Sequence, residues 1–137
     1  MTPEVMAAVH AACFTTPRPW RVAEFSAFLN DPKVFCESSA GGFALGRVIA
    51  GEAELLTLAV VPEARREGRG RALLDAFEAA AAARGGHDGY LEVAATNNAA
   101  RALYRGAGWA ESGQRGGYYR MPDGRRIDAI IMGKTLG

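Results

Sequence analysis

The sequence has few cysteines, few histidines and almost no lysine. Its two cysteines, Cys13 and Cys36, are too few for a disulfide framework and stand at no metal-ligand spacing. The two histidines, His10 and His87, have no acidic partner at metal-ligand spacing, so neither is assigned a role. No stretch approaches the roughly 18 uninterrupted apolar residues of a membrane span, and the first residues do not resemble a signal peptide. We therefore expect reduced thiols, no metal, no membrane association and a cytoplasmic protein.

The size and charge of the chain narrow its class further. A length of 137 residues predicts one domain, residues 1–137, with a composition typical of globular proteins: 49% hydrophobic and 23% charged. Residues 99–137 carry seven basic residues against three acidic ones, an excess too mild to indicate nucleic-acid binding. Only two of the sixteen basic residues are lysine, and the arginines suit phosphate or carboxylate partners.

The order of the predicted elements indicates an α+β fold. Helical spacing of apolar residues predicts four helices, at 3–14, 20–29, 70–83 and 98–105. Short β-rich runs predict six strands, at 34–37, 43–49, 53–61, 90–94, 114–119 and 128–132. Short loops favour antiparallel pairing, whereas the strand–helix–strand stretch across 53–94 predicts one parallel pair. The expected sheet is mixed, mostly antiparallel and flanked by helices.

The segment 60–74 carries the strongest chemical signal. Four arginines crowd the start of the third predicted helix: Arg65, Arg66, Arg69 and Arg71. The positive end of the helix dipole makes each cation unfavourable there by about 0.3–1 kcal/mol. A bound polyphosphate would resolve this conflict, since Gly68 and Gly70 allow close backbone approach and the first helical amides donate hydrogen bonds. The alternative is a solvated basic turn. The segment lacks the lysine of a Walker A loop, which argues against nucleotide hydrolysis.

Two groups of motifs carry a family resemblance. Residues 65–70 resemble the Arg/Gln-x-x-Gly-x-Gly/Ala pyrophosphate motif of the GCN5-related N-acetyltransferase (GNAT) superfamily. The order Leu91-Glu92-Val93, Asn97-Asn98-Ala99-Ala100, Ala102-Leu103-Tyr104, Gly108-Trp109, Tyr118-Tyr119, Asp123-Gly124 and Asp128-Ala129-Ile130-Ile131-Met132 is similar to the RimI group of ribosomal-protein-alanine N-acetyltransferases. The resemblance covers most of residues 55–132. It implies a GNAT-type sheet that splays between strands 53–61 and 90–94 and holds acetyl-CoA in the resulting cleft.

The resemblance also implies roles for individual residues. Glu92 corresponds to the general base, Tyr104 to the acid that protonates the leaving thiolate, and Asn97 to a contact with the cofactor. The implied cofactor-binding backbone comprises Leu58, Ala59 and Val60 for the pantetheine arm and thioester, and Arg66, Glu67, Gly68, Arg69, Gly70 and Arg71 for the pyrophosphate. Trp20 belongs to a Pro-Trp pair that matches the family's substrate-side loop.

The residue types suit this chemistry independently of the resemblance. A lone carboxylate in mid-strand at Glu92 can take a proton from an incoming amine, directly or through a water. The phenol of Tyr104, with a reference pKa near 10, can donate to a thiolate whose reference pKa is near 8.5. Two structural alternatives stay open: an ion pair between Glu92 and an arginine, and a core position for Tyr104.

We therefore predict an acetyl-CoA-dependent N-acetyltransferase that needs no metal. Its expected partner is the N-terminal peptide of an acceptor protein, most simply the α-amine of an alanine on a ribosomal protein, without direct nucleic-acid contact. Alternative acceptors are a protein lysine or a small-molecule amine. A further alternative is a CoA-binding module without turnover.

Overall fold

Four helices and six strands occupy the residues that the computed structural model describes, namely 1–14, 18–62 and 68–136. In chain order they are α1 (Pro3–Cys13), α2 (Val22–Leu29), β1 (Val34–Ser39), β2 (Gly42–Ile49), β3 (Glu52–Val60), α3 (Arg69–Ala83), β4 (Asp88–Ala94), α4 (Asn98–Gly106), β5 (Ala110–Arg120) and β6 (Arg126–Thr135). Each predicted element is present. The final hairpin is longer than predicted, because β5 and β6 extend beyond the apolar runs that signalled them. None of the described helices is long and apolar enough to cross a membrane.

The six strands form one sheet in the order β1-β2-β3-β4-β6-β5. All neighbouring strands are antiparallel except β3 and β4, which run parallel. This parallel pairing begins at Glu52 with Asp88 and ends at Glu54 with Tyr90. Beyond that point the two strands are no longer hydrogen-bonded to each other. The predicted α+β class, with a mostly antiparallel sheet that splays between these two strands, is confirmed.

An extra residue in β3 changes which face of the sheet its side chains use. Leu55 and Thr57 face consecutive residues of β2, so Leu56 between them forms a bulge. Successive side chains of a strand point to opposite faces, and one inserted residue therefore reverses the alternation. Leu55 lies in the core beneath α3, whereas Ala59, beyond the bulge, lies in the core beneath α1 and α2.

The two cores hold the helices on opposite faces of the sheet. Under α3, the Phe77 ring stacks on Phe35 with centroids 5.8 Å apart. Under α1 and α2, the Phe25 ring meets Phe43 edge-on at 5.6 Å. Phe25, Phe43 and Phe77 have no exposed surface, and burying such a side chain contributes about 1.5–3 kcal/mol. These contacts hold α3 and α2 against the sheet.

A partly buried carboxylate connects α3 to the C-terminal half of the molecule. Glu78 accepts hydrogen bonds from Trp109 Nε1 at 3.2 Å and from Lys134 Nζ at 2.5 Å. The Trp109 backbone amide in turn donates to the Tyr104 carbonyl at 3.0 Å. This network fixes the C-terminal end of α4 against α3 and β6.

Candidate active site

The separation of β3 from β4 creates a cleft with two adjoining cavities. The smaller cavity, of about 350 Å³, lies between the diverging strands, with α1, Trp20 and β5 around it. The larger cavity, of about 720 Å³, lies between the end of β3 and the starts of α3 and α4. Six residues line both: Phe14, Leu58, Ala94, Asn97, Ala100 and Tyr104.

The start of α3 is open to the larger cavity. Gly68 precedes the helix with φ 72°, and the first turn has neither a side-chain cap nor an acidic residue. A Cβ added at Gly68 would meet nothing within 4 Å, and one at Gly70 would lie 3.4 Å from Leu103 Cδ2. The first amides of a helix lack intrahelical partners. An anion in this cavity could therefore approach the backbone closely.

Two of the four clustered arginines fall within the described residues. Arg69 Nη1 donates to the Ala40 carbonyl at 2.5 Å, and Arg71 pairs with Asp75 at 3.0 Å. The larger cavity is lined by Gly68, Arg69, Gly70 and Arg71. The other predicted contacts at this end, Arg66 and Glu67, lie outside the described residues, as does Arg65.

The predicted pantetheine strand forms another wall. Leu58, Ala59 and Val60 line the larger cavity, on the stretch of β3 that has no pairing with β4. Asn97, which also lines this cavity, is the N-cap of α4, and its Oδ1 accepts a hydrogen bond from the Ala100 amide at 3.2 Å. The Asn97 carboxamide thus caps the helix through its Oδ1, and the residue lines both cavities.

Tyr104 lies where the two cavities meet. It is 7% exposed, and no described residue forms a hydrogen bond with its hydroxyl. Burial, with a smaller effect from Tyr119, raises the pKa of Tyr104 well above its usual value. Its ring also packs near Trp109, with centroids 6.5 Å apart, so Tyr104 combines a core position with access to both cavities.

Glu92 lines the smaller cavity and forms an ion pair. Its Oε1 lies 3.1 Å from Arg115 Nη2, with 26% of the Glu92 side chain and 53% of the Arg115 side chain exposed. The Arg115 guanidinium also lies over the Tyr118 ring, 5.0 Å from its centroid. Burial and the charge of Glu92 raise the pKa of Tyr119 to about 12. The ion-pair alternative considered for Glu92 is therefore present, and it lies inside the cavity.

His10 also lines the smaller cavity, although the sequence reasoning gave it no role. The Trp20 amide donates to His10 Nδ1 at 3.0 Å, and His10 Nε2 lies 3.0 Å from Thr57 Oγ1. An amide can only donate, so Nδ1 is unprotonated and Nε2 carries the proton of the neutral ring. Burial lowers the pKa of His10 to about 4. A signal was available: helical spacing places His10 on the face of α1 that Met6 buries.

No metal centre is found in the part of the chain that the structure describes. Across residues 1–14, 18–62 and 68–136, no three His, Cys, Asp or Glu side chains lie close enough together to hold a metal ion.

Comparison with known proteins identifies the family. The sequence model of the Acetyltransferase (GNAT) family matches residues 7–109. The chain belongs to the GNAT family of acetyltransferases. A relative from Escherichia coli K12, named [ribosomal protein bS18]-alanine N-acetyltransferase, is 36% identical over 135 residues, covering 96% of this chain and 90% of the relative. The Mycobacterium tuberculosis N-alpha-acetyltransferase RimI is 37% identical over 140 residues, covering 96% of this chain and 85% of that protein.

Similarity to solved structures agrees with the family. The crystal structure of the ribosomal-protein-S18-alanine N-acetyltransferase from Escherichia coli superposes with a TM-score of 0.87 at 31% identity, covering 98% of this GNAT chain and 88% of that chain. The protein is thus an acetyltransferase, and the acetyl donor of the family is acetyl-CoA. The larger cavity fits this group, because the uncrowded backbone at Gly68 and Gly70 would accommodate a pyrophosphate.

Proposed function

We propose that this GNAT enzyme acetylates the N-terminal α-amine of a protein, with the alanine of a ribosomal protein as its natural acceptor. The observation that carries the proposal is the meeting of the two cavities at Tyr104, with Glu92 beside it. The 36% identity to a bS18-alanine N-acetyltransferase supports this choice of acceptor. A ribosomal acceptor would make the cytoplasm the site of the reaction.

The proposal assigns the larger cavity to acetyl-CoA. When bound there, acetyl-CoA supplies an acetyl group activated as a thioester. The amides of Leu58, Ala59 and Val60 would hold the pantetheine arm, and the backbone of residues 66–71 the pyrophosphate. Asn97 would orient the donor through its Nδ2. We also propose that residues 1–137 act as one catalytic domain, because β1 to β6 belong to a single sheet.

The smaller cavity would take the amine. Glu92 would accept a proton from it, directly or through a water. At pH 7 an α-amine with a pKa near 7.8 is roughly one-tenth neutral, whereas a lysine at about 10.4 is neutral in about 0.04% of molecules. The proton is therefore easier to remove from an α-amine by about 3.5 kcal/mol, at 1.36 kcal/mol per pKa unit. A single carboxylate is better matched to the α-amine.

Tyr104 would supply the proton for the leaving thiolate. Its raised pKa keeps the hydroxyl protonated over the whole working range. Burial disfavours any anion, so the pKa of a thiol in the same cleft is raised for the same reason. Burial of the thiolate therefore narrows the difference in pKa between it and the phenol.

The acceptor is tested with one peptide that begins with alanine and contains an internal lysine. It is offered with a free and with a chemically blocked N-terminus, and mass spectrometry locates the acetyl group. We expect transfer to the free α-amine and almost none to the blocked peptide. Equal rates on the two peptides would assign the enzyme to lysine, and CoA binding without transfer to either peptide or to free amines would indicate a module without turnover.

A further inference from the structure

Arg115 extends into the amine end of the cleft from an irregular part of β5. The pairing of β5 with β6 shifts register between Arg115 and Tyr119, and Gly117 within this stretch has φ 59°. Asp128 of β6 brackets the irregularity, accepting from the Gly117 amide at 2.8 Å and from Gln114 Nε2 at 2.5 Å. The strand around Arg115 is therefore held through the Gly117 amide and the Gln114 side chain, while the long side chain of Arg115 is half exposed.

The charged groups of the smaller cavity make Glu92, paired with Arg115, the carboxylate that matters for a cationic substrate. Among the described residues that line the smaller cavity, the other carboxylate is Glu54, which is paired with Arg47 at 2.8 Å and accepts from the Tyr90 hydroxyl. His10, whose pKa is lowered by burial, is neutral, and Tyr104 and Tyr119, whose pKa values are raised by burial, carry no charge at neutral pH. Glu92 is thus the carboxylate that an entering ammonium group meets, and Arg115 already neutralises it.

We propose that Arg115 is a placeholder for the acceptor amine: its guanidinium pairs with Glu92 in the free enzyme and is displaced when the amine binds. This inference rests on the proposed function. A guanidinium and an ammonium group compete for one carboxylate, because two cations in contact with it repel each other. Arg115 is free to swing toward solvent, yet its fixed backbone keeps the cation near the bound amine. It is a positioning residue that acts through Glu92.

Two effects follow from one repulsion. Arg115 opposes binding of the charged ammonium form, so it raises KM for the acceptor. The same cation lowers the pKa of the bound amine and so increases the neutral, nucleophilic fraction at neutral pH. Removing the positive charge should lower KM and also move the acid limb of the kcat profile to higher pH.

The experiment compares Arg115→Gln with wild type in steady-state kinetics on the alanine peptide from about pH 6 to about pH 9. We expect KM for the peptide to fall about fivefold. The acid limb of the kcat profile should move to higher pH by about 0.7 units, because a fivefold change in an equilibrium constant corresponds to a pKa change of about 0.7. A fivefold change is the upper end of what a solvent-exposed ion pair contributes. KM for acetyl-CoA should not change.

Three variants keep the comparison interpretable. Arg115→Lys retains the cation and should restore both wild-type values. Arg125→Gln removes an equal charge at the hairpin turn, where Arg125 pairs with Asp123 at 2.7 Å, and should leave both values unchanged. Arg115→Met keeps an apolar stem over Tyr118 and replaces Arg115→Gln if that variant does not fold.

A rise or no change in KM, with kcat reduced equally at every pH, would overturn the inference and make Arg115 a structural residue. The acceptor test on wild type, with the free and the blocked alanine peptide, is done first, so failure of the proposed function is seen separately from failure of this inference. If another primary amine proves to be the preferred acceptor, the same variants are measured with that amine, and the expected KM decrease still tests the exchange at Glu92.

Discussion

His10 should make the folded state sensitive to acid. Its pKa is about 4 in the folded protein and 6.5 in the unfolded chain. Above pH 6.5 the ring is neutral in both states and carries no penalty. As the pH falls below 6.5, the unfolded state binds a proton that the folded state does not, so the free energy of unfolding decreases until the folded ring also titrates near pH 4.

The decrease in the free energy of unfolding can be calculated from the folded and unfolded pKa values of His10. Their separation of 2.5 units corresponds to about 3 kcal/mol when titration is complete. At about pH 5 the loss has reached about 2 kcal/mol. The physical cause is that a protonated ring cannot accept from the Trp20 amide through Nδ1, and it would place a charge among Phe14, Trp20 and Phe25. The carboxylate of Glu24 opposes the shift only weakly.

Urea unfolding at about pH 7.5 and about pH 5 measures this loss, with His10→Gln as the non-titrating variant. Protonation of carboxylates also lowers the free energy of unfolding in acid, but it does so equally in wild type and in His10→Gln. We expect the difference between the two pH values to be smaller in His10→Gln by about 2 kcal/mol. The exposed His87 provides a matched control, since His87→Gln should retain the full acid sensitivity. Equal pH dependence in wild type and His10→Gln would refute the reasoning.

Three substitutions test the cleft. CoA at a hundredfold excess over Kd should stabilise wild type by about 2.7 kcal/mol and so raise its Tm. Gly70→Glu should abolish this rise in Tm, whereas Gly106→Glu, a control outside both cavities, should retain it. An unaltered rise in Gly70→Glu would locate the pyrophosphate elsewhere. Glu92→Gln should lower kcat on the order of 10²- to 10⁴-fold at neutral pH and recover as the pH rises, because a neutral amine needs no base; a pH-independent loss would contradict that role. Tyr104→Phe should slow transfer at every pH with CoA affinity retained, and a wild-type rate would make Tyr104 purely structural.

Local sequence pattern accounts for most of the fold. The helices and inner strands were predictable because each buries one face, which leaves a periodic signal. The start of β5, residues 110–113, was not predicted, since these residues are polar, small or glycine and show no alternation. Their extended conformation comes from pairing with β6, a tertiary effect that local preference does not contain.

The candidate site also contains some features that local sequence predicts and others that depend on tertiary contacts. Glu92, Asn97 and Tyr104 could be selected from the sequence because each belongs to a recognisable motif, and the structure brings all three to the cleft, although their roles stay predictions. The partners of His10 and of Glu92 could not be selected. The His10–Thr57 hydrogen bond joins residues 47 positions apart, and the Glu92–Arg115 ion pair depends on the irregular register of β5. Spacing along the chain carries no information about either contact.

The shared wall between the two cavities bears on the kinetic order of the reaction. Six residues line both cavities, among them Leu58, Ala94 and Tyr104, while the other lining residues differ. With acetyl-CoA and the amine assigned as proposed, each substrate would have its own approach to this common wall. Under this assignment donor and acceptor would be present together, and neither would have to leave before the other arrives. Such an arrangement favours a ternary complex with single displacement over a ping-pong cycle, in which one site would be used twice and an acetylated enzyme would accumulate.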